Sequence, residues 1–135
     1  MIGVIVATHG EFGLVLLSTL RMILGETEGI VAIDLVSQDS MESFQSKMEK
    51  ALETVDPKGS GALVLVDMLG GTPFNVALRL SQTRKLQVVT GVNLPMLIKV
   101  ASDRDGTQLE RLAQDVQAAT RESIVTSLEL LKKQG

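Results

Sequence analysis

The chain predicts an α/β fold, a doubly wound three-layer sandwich around a mainly parallel four-stranded sheet. Two observations carry that prediction. Four short apolar runs rich in valine, isoleucine and leucine alternate with stretches of helical period, and turn chemistry marks the boundaries between them. Parallel strands need crossovers, and crossovers place helices on both faces of the sheet. A length of 135 residues suits one compact domain, here 1–135, and no repeat, low-complexity stretch or linker marks a second.

The elements follow in order. The run 2–7 is a buried-strand candidate, and the helix after it carries Phe12, Leu16, Leu20, Ile23 and Leu24 on one stripe before Gly25 ends it. The second strand is 30–36. Asp39, with Glu42 three residues later, resembles a capping box for a helix that turns Met41, Phe44, Met48, Leu52 and Val55 inward. Residues 56–61 are turn chemistry, and 62–66 form the third strand. Thr72 and Pro73 then read as N-cap and first helical residue of a helix through Phe74, Ala77, Leu78 and Leu80. Residues 86–90 are the fourth strand, closed by Gly91, and Asn93 or Leu94 followed by Pro95 starts a short helix. Beyond the break at 103–106, Leu109, Leu112, Ala113, Val116 and Ala119 mark another helix. The tail reads two ways: Ile124, Leu128 and Leu131 suit a helix, whereas Ile124, Thr126, Leu128 and Leu130 suit one face of a strand.

Composition narrows the function. A net charge of −3 and the absence of Trp and Tyr remove the basic surface and stacking residues that nucleic-acid binding uses. Cysteine is absent, which agrees with a reducing cytosol and leaves no disulfide or thiol nucleophile. One histidine and no cysteine give a metal only carboxylates, so neither metal nor cofactor is expected. The run 2–7 follows no positive residue and falls far short of a signal segment. The longest apolar stretch, 14–24, is broken by Ser18, Thr19 and Arg21 and cannot span a bilayer. A soluble, cytoplasmic protein is the expectation.

His9, the single histidine, ends the first apolar run within Thr8-His9-Gly10, and Asp67 ends the third. In doubly wound sheets the ligand crevice lies outside the carboxyl ends of the strands, where the strand order reverses. Strand one usually borders that point and strand three is its common partner, so His9, Asp67 and the turn Gly70-Gly71-Thr72 should face one crevice. A neutral imidazole is a nucleophile near pH 7, and a carboxylate accepting one ring N–H fixes its tautomer. The glycine pair and the positive end of the helix starting at Pro73 make an anion site. Phosphate is the obvious anion, and phosphoryl transfer asks mainly for alignment and charge stabilisation. The implied chemistry is a histidine that is itself phosphorylated.

Each signal also has an ordinary reading. A lone histidine is often a surface residue, Asp67 can simply cap the next turn, and Gly70-Gly71-Thr72-Pro73 lacks the lysine of a nucleotide loop. Glu26 with Glu28, and Asp103 with Asp105, read as solvated loop charges. On the residues alone, a non-catalytic anion- or nucleotide-binding module in which His9 only contacts ligand stays open.

Three segments together, Ala7-Thr8-His9-Gly10, 66–75 with its Gly70-Gly71-Thr72-Pro73-Phe74-Asn75, and 90–97 with its Asn93-Leu94-Pro95, resemble the IIA component of the mannose family of the phosphoenolpyruvate-dependent sugar phosphotransferase system (PTS). The likeness spans nearly the whole chain. It implies that His9 accepts a phosphoryl group through Nε2 from the carrier HPr and passes it to a IIB component, with membrane IIC and IID subunits served indirectly. It further implies that Asp67 is the acidic partner of the histidine, that Gly70, Gly71 and Thr72 hold the phosphoryl oxygens, and that Thr8, Gly10, Met68, Asn93, Leu94 and Pro95 line the site. Met68 stands where better-known members carry a hydroxyl residue. The chain lacks the linker and IIB domain of some members, so a separate IIB chain is expected. Homodimers of the family can pack a C-terminal segment on the partner's sheet, which would explain the ambiguous tail. Neighbouring readings are the phosphohistidine domain serving dihydroxyacetone kinase and a regulatory IIA paralogue. Phe12, Met68, Leu69 and Met96 are candidates for an apolar docking rim, or else for core.

Overall fold

A computed structural model describes residues 1–134. Among them, strands β1 (Gly3–His9), β2 (Ile30–Leu35), β3 (Ala62–Val66) and β4 (Leu86–Thr90) form one all-parallel sheet in the order β2-β1-β3-β4. Helices α1 (Phe12–Leu24), α4 (Leu94–Asp103) and α5 (Leu109–Glu122) cover one face, and α2 (Met41–Val55) and α3 (Thr72–Leu80) cover the other. This is the three-layer α/β sandwich that the alternating runs predict. Side chains of β1 alternate between the layers: Val4 and Val6 join the core under α1, α4 and α5, while Ile5 and Ala7 join the core under α2 and α3. The β3 side chains are fully buried, as a central parallel strand requires.

Strand β1 runs two residues past its apolar stretch, because Thr8 pairs with Asp34 and His9 with Leu35 on β2. The chain leaves β1 toward β2 on one side and returns to β3 on the other. The strand order therefore reverses between β1 and β3, and the carboxyl ends of these two strands flank the crevice.

Two local readings change, and one that was open takes a form. Helix α1 buries Gly13, Leu17 and Leu20, whereas Phe12, Ile23 and Leu24 of the expected stripe are exposed. The helix is apolar almost all round, so period alone does not fix its rotation. Gly13 does: an added Cβ would come within 3.1 Å of both Thr8 Oγ1 and Val6 Cγ1. The capping box of α2 is Ser40 with Ser43, not Asp39 with Glu42. Asp39 instead accepts from the Val36 N–H at 2.9 Å and from Lys47 Nζ at 2.7 Å, closing the loop before the helix. The ambiguous tail is helical only from Ser127, as α6 (Ser127–Gln134), after an irregular stretch at 124–126, and Ile124, Val125, Leu128 and Leu131 are exposed.

At the end of the sheet remote from His9, Arg104 is buried and donates to the carbonyls of Glu28 and Ile2. Burial pushes its guanidinium below its ordinary pKa. A cavity of about 570 Å³ opens at that remote end between Val55, Lys58, Lys85 and Leu109.

Candidate functional site

His9 is the last residue of β1, with its side chain 47% exposed, and Asp67 follows the last residue of β3, with its side chain 15% exposed. Asp67 Oδ2 lies 2.8 Å from His9 Nδ1 and accepts the His9 backbone N–H at 3.0 Å. Its Oδ1 accepts the Met68 N–H at 3.1 Å. A carboxylate can only accept, so Nδ1 carries the ring proton and the lone pair belongs to Nε2. The carboxylate thus holds both the main chain and the ring of His9, and fixes the tautomer that leaves Nε2 nucleophilic.

The Nε2 edge meets Gly71. A Cβ added there would stand 2.7 Å from His9 Cε1 and 3.3 Å from Nε2, so only glycine lets the turn approach the ring this closely. Gly70 precedes it with φ +86, a conformation suited to glycine. Gly71, not Thr72, is the N-cap of α3, with Thr72 and Pro73 the first two helical residues. The cause is the extended backbone of Gly71, which lets its carbonyl accept from the Asn75 N–H at 2.9 Å and begin the helix one residue early. The Thr72 hydroxyl consequently caps nothing, and the first-turn N–H groups of α3 add the positive end of its dipole beside the imidazole.

The remaining expected residues take different places. Gly10, with φ +55, turns the chain out of β1 and donates its N–H to the Leu35 carbonyl at 2.8 Å. Thr8 is fully buried behind the site, because side chains alternate along β1, and its Oγ1 accepts the Gly13 N–H at 2.7 Å. Met68 is exposed, with its Cγ 3.6 Å from where a Gly71 Cβ would stand. The loop after β4 is tied to the end of β3 by the Val92 N–H and the Val66 carbonyl at 3.0 Å. There the Asn93 side chain caps α4 through the Met96 N–H at 2.9 Å, Leu94 is half-buried and Pro95 exposed. Phe12, Met68 and Leu69 are exposed apolar residues, whereas Met96 is core. Asn75, present in the glycine motif of the sequence but given no role there, donates through Nδ2 to the Gly70 carbonyl at 3.2 Å; its signal was its place one helical turn past the glycine pair. Among the described residues, no group of three or more His, Cys, Asp or Glu is placed to hold a metal ion. No helix among them is long and apolar enough to cross a membrane.

Fold and site define a class: a doubly wound α/β protein with an exposed, carboxylate-oriented histidine facing a glycine turn and a helix N-terminus at the switch point of its sheet. A family model described as the PTS system fructose IIA component, EIIA-man, matches residues 3–117. The chain belongs to this family, the mannose-type EIIA components of the sugar phosphotransferase system. It is 33% identical over 134 residues to the PTS system fructose-specific EIIA component of Bacillus subtilis, covering 98% of this chain and 91% of that protein. It is 38% identical over 105 residues, 77% of this chain, to the PTS system mannose-specific EIIAB component of Escherichia coli K12, of which the match covers 32%. The crystal structure of EIIA from Streptococcus agalactiae superposes with a TM-score of 0.86 at 32% identity, covering 93% of this chain and 97% of that one. EIIA proteins are phosphotransferase components, and membership supports a phosphocarrier role in sugar uptake.

Proposed function

We propose that His9 accepts a phosphoryl group from the phosphohistidine of HPr and donates it to a IIB component during coupled sugar uptake and phosphorylation. The observation that carries this reading is the 2.8 Å contact between Asp67 Oδ2 and His9 Nδ1, which leaves Nε2 free on an open surface. In the step, the Nε2 lone pair forms the new P–N bond while the donor's P–N bond breaks and its electron pair returns to the donor ring. His9 keeps its proton on Nδ1, so the phosphorylated ring acquires positive charge, and the Asp67 carboxylate offsets it. Gly70, Gly71 and Thr72 supply backbone N–H groups and a hydroxyl for the phosphoryl oxygens. Transfer to IIB runs the same bond exchange in the other direction at His9.

The surroundings suit protein partners. Drug-sized ligands occupy concave pockets, whereas His9 stands on an open face beside exposed Phe12, Met68 and Leu69, a rim on which carriers can dock. In this reading residues 1–135 act as one cytoplasmic domain that reaches the membrane IIC and IID subunits only through IIB. The working unit is a homodimer, because an eight-residue helix such as α6 is too short to persist alone and exposes Leu128 and Leu131.

Intact-mass measurement after incubation with phosphoenolpyruvate, enzyme I and HPr tests the reading. An acid-labile phosphoryl adduct is expected on the unmutated chain and none on His9→Gln. An adduct that persists in His9→Gln, or none on either chain, overturns it. Discharge onto candidate IIB chains then separates the sugar pathway from service to a dihydroxyacetone kinase.

A further inference from the structure

Asn75 lies in the first turn of α3 and makes two bonds to the glycine pair before it. Its backbone N–H donates to the Gly71 carbonyl at 2.9 Å, and its side-chain Nδ2 donates to the Gly70 carbonyl at 3.2 Å. The second bond has a geometric consequence. A trans peptide plane points its C=O and its N–H in opposite directions, so holding the Gly70 carbonyl also fixes the direction of the Gly71 N–H. Gly71 is the residue that abuts the Nε2 edge of His9. Among the described residues its N–H has no hydrogen-bond partner. A peptide between two glycines rotates easily, because neither side carries a Cβ to restrict it. Flipped, the same peptide would aim the Gly70 carbonyl, an acceptor, where the N–H now points.

We propose that Asn75 is a positioning residue of the phosphoryl site. By clamping the Gly70 carbonyl it selects the peptide orientation that aims the Gly71 N–H at the phosphoryl oxygens carried on His9 Nε2. Asn75 acts only through that peptide, and the inference rests on the phosphocarrier reading above.

The test uses the full chain, labelled with nitrogen-15 and charged by phosphoenolpyruvate, enzyme I and HPr. In the unmutated chain, phosphorylation shifts the Gly71 amide resonance. In Asn75→Ala, and in Asn75→Asp, which keeps the shape but has no donor, His9 still takes the phosphoryl group, about tenfold more slowly for one lost charge-assisted contact. In both variants the phosphorylation-dependent shift of Gly71 disappears. A general loss of stability would leave that shift in place in the molecules that do become charged. The proposal is overturned if either variant charges at the unmutated rate with Gly71 shifted as before. It is equally overturned if the Gly71 amide of the unmutated chain does not move on phosphorylation, a measurement that needs no variant. A chain that takes no phosphoryl group at all instead sinks the phosphocarrier reading itself.

Discussion

Asp67 holds His9 at two points, the ring through Nδ1 and the main chain through its N–H, with one oxygen. Asp67→Asn keeps the size of the side chain and, in the proposed transfer, removes the charge that would offset the phosphorylated ring. A hydrogen bond to a charged group contributes about 1.5–3 kcal/mol, so phosphorylation by HPr should slow by about tenfold to a hundredfold. Stopped-flow or quenched-flow charging reads this, and an unchanged rate would remove Asp67 from the mechanism. Gly71→Ala probes the other edge of the ring. Gly71 has φ −80, so alanine meets no backbone strain, and its only severe contact is the 2.7 Å approach to His9 Cε1. The ring must turn off its bond to Asp67 to make room. Charging should fall at least as far as in Asp67→Asn, while the thermal midpoint changes little, as for a surface substitution; a lowered midpoint with normal charging would contradict this account.

At the scale of elements, the loop between β2 and α2 carries a pH dependence. The Lys47 ammonium, with the Val36 N–H and the Ser43 hydroxyl, lowers the Asp39 pKa from 3.8 to about 2. A depressed carboxyl stabilises the fold above its unfolded pKa, and that contribution is lost as pH falls through the folded value. Asp39→Asn should therefore lower stability at neutral pH, with the gap to the unmutated chain closing between about pH 4 and pH 2; urea titrations across that range check it, and a constant gap would refute it. Such detail marks where sequence patterns stop. Strands β3 and β4 were legible to the residue, because short valine- and leucine-rich runs between turns have few other uses. The rotation of α1 was not, since the deciding contact joins Gly13 to side chains of another element. Asp39 and Ser40 are both good caps, and only the fold decides which faces the helix.

For the whole molecule, the site was legible as a topology before it was a geometry: two polar residues ending the first and third apolar runs, joined once the sheet reverses between them. Asn75 was not, because its importance depends on the direction of one peptide plane. The proposed assembly of two chains belongs to this scale too. Sedimentation should give a dimer for the full chain and a monomer when residues 123–135 are deleted; a full-length monomer would overturn the homodimer reading. The span between His9 and Asp67 carries a last consequence. They lie 58 residues apart and meet only when β1 and β3 pair in parallel, a non-local contact whose loop-closure cost slows folding. In the proposed role, phosphoryl uptake therefore requires that β1 and β3 have already paired. On that reading, an unfolded copy would offer a phosphoryl donor only an unoriented imidazole.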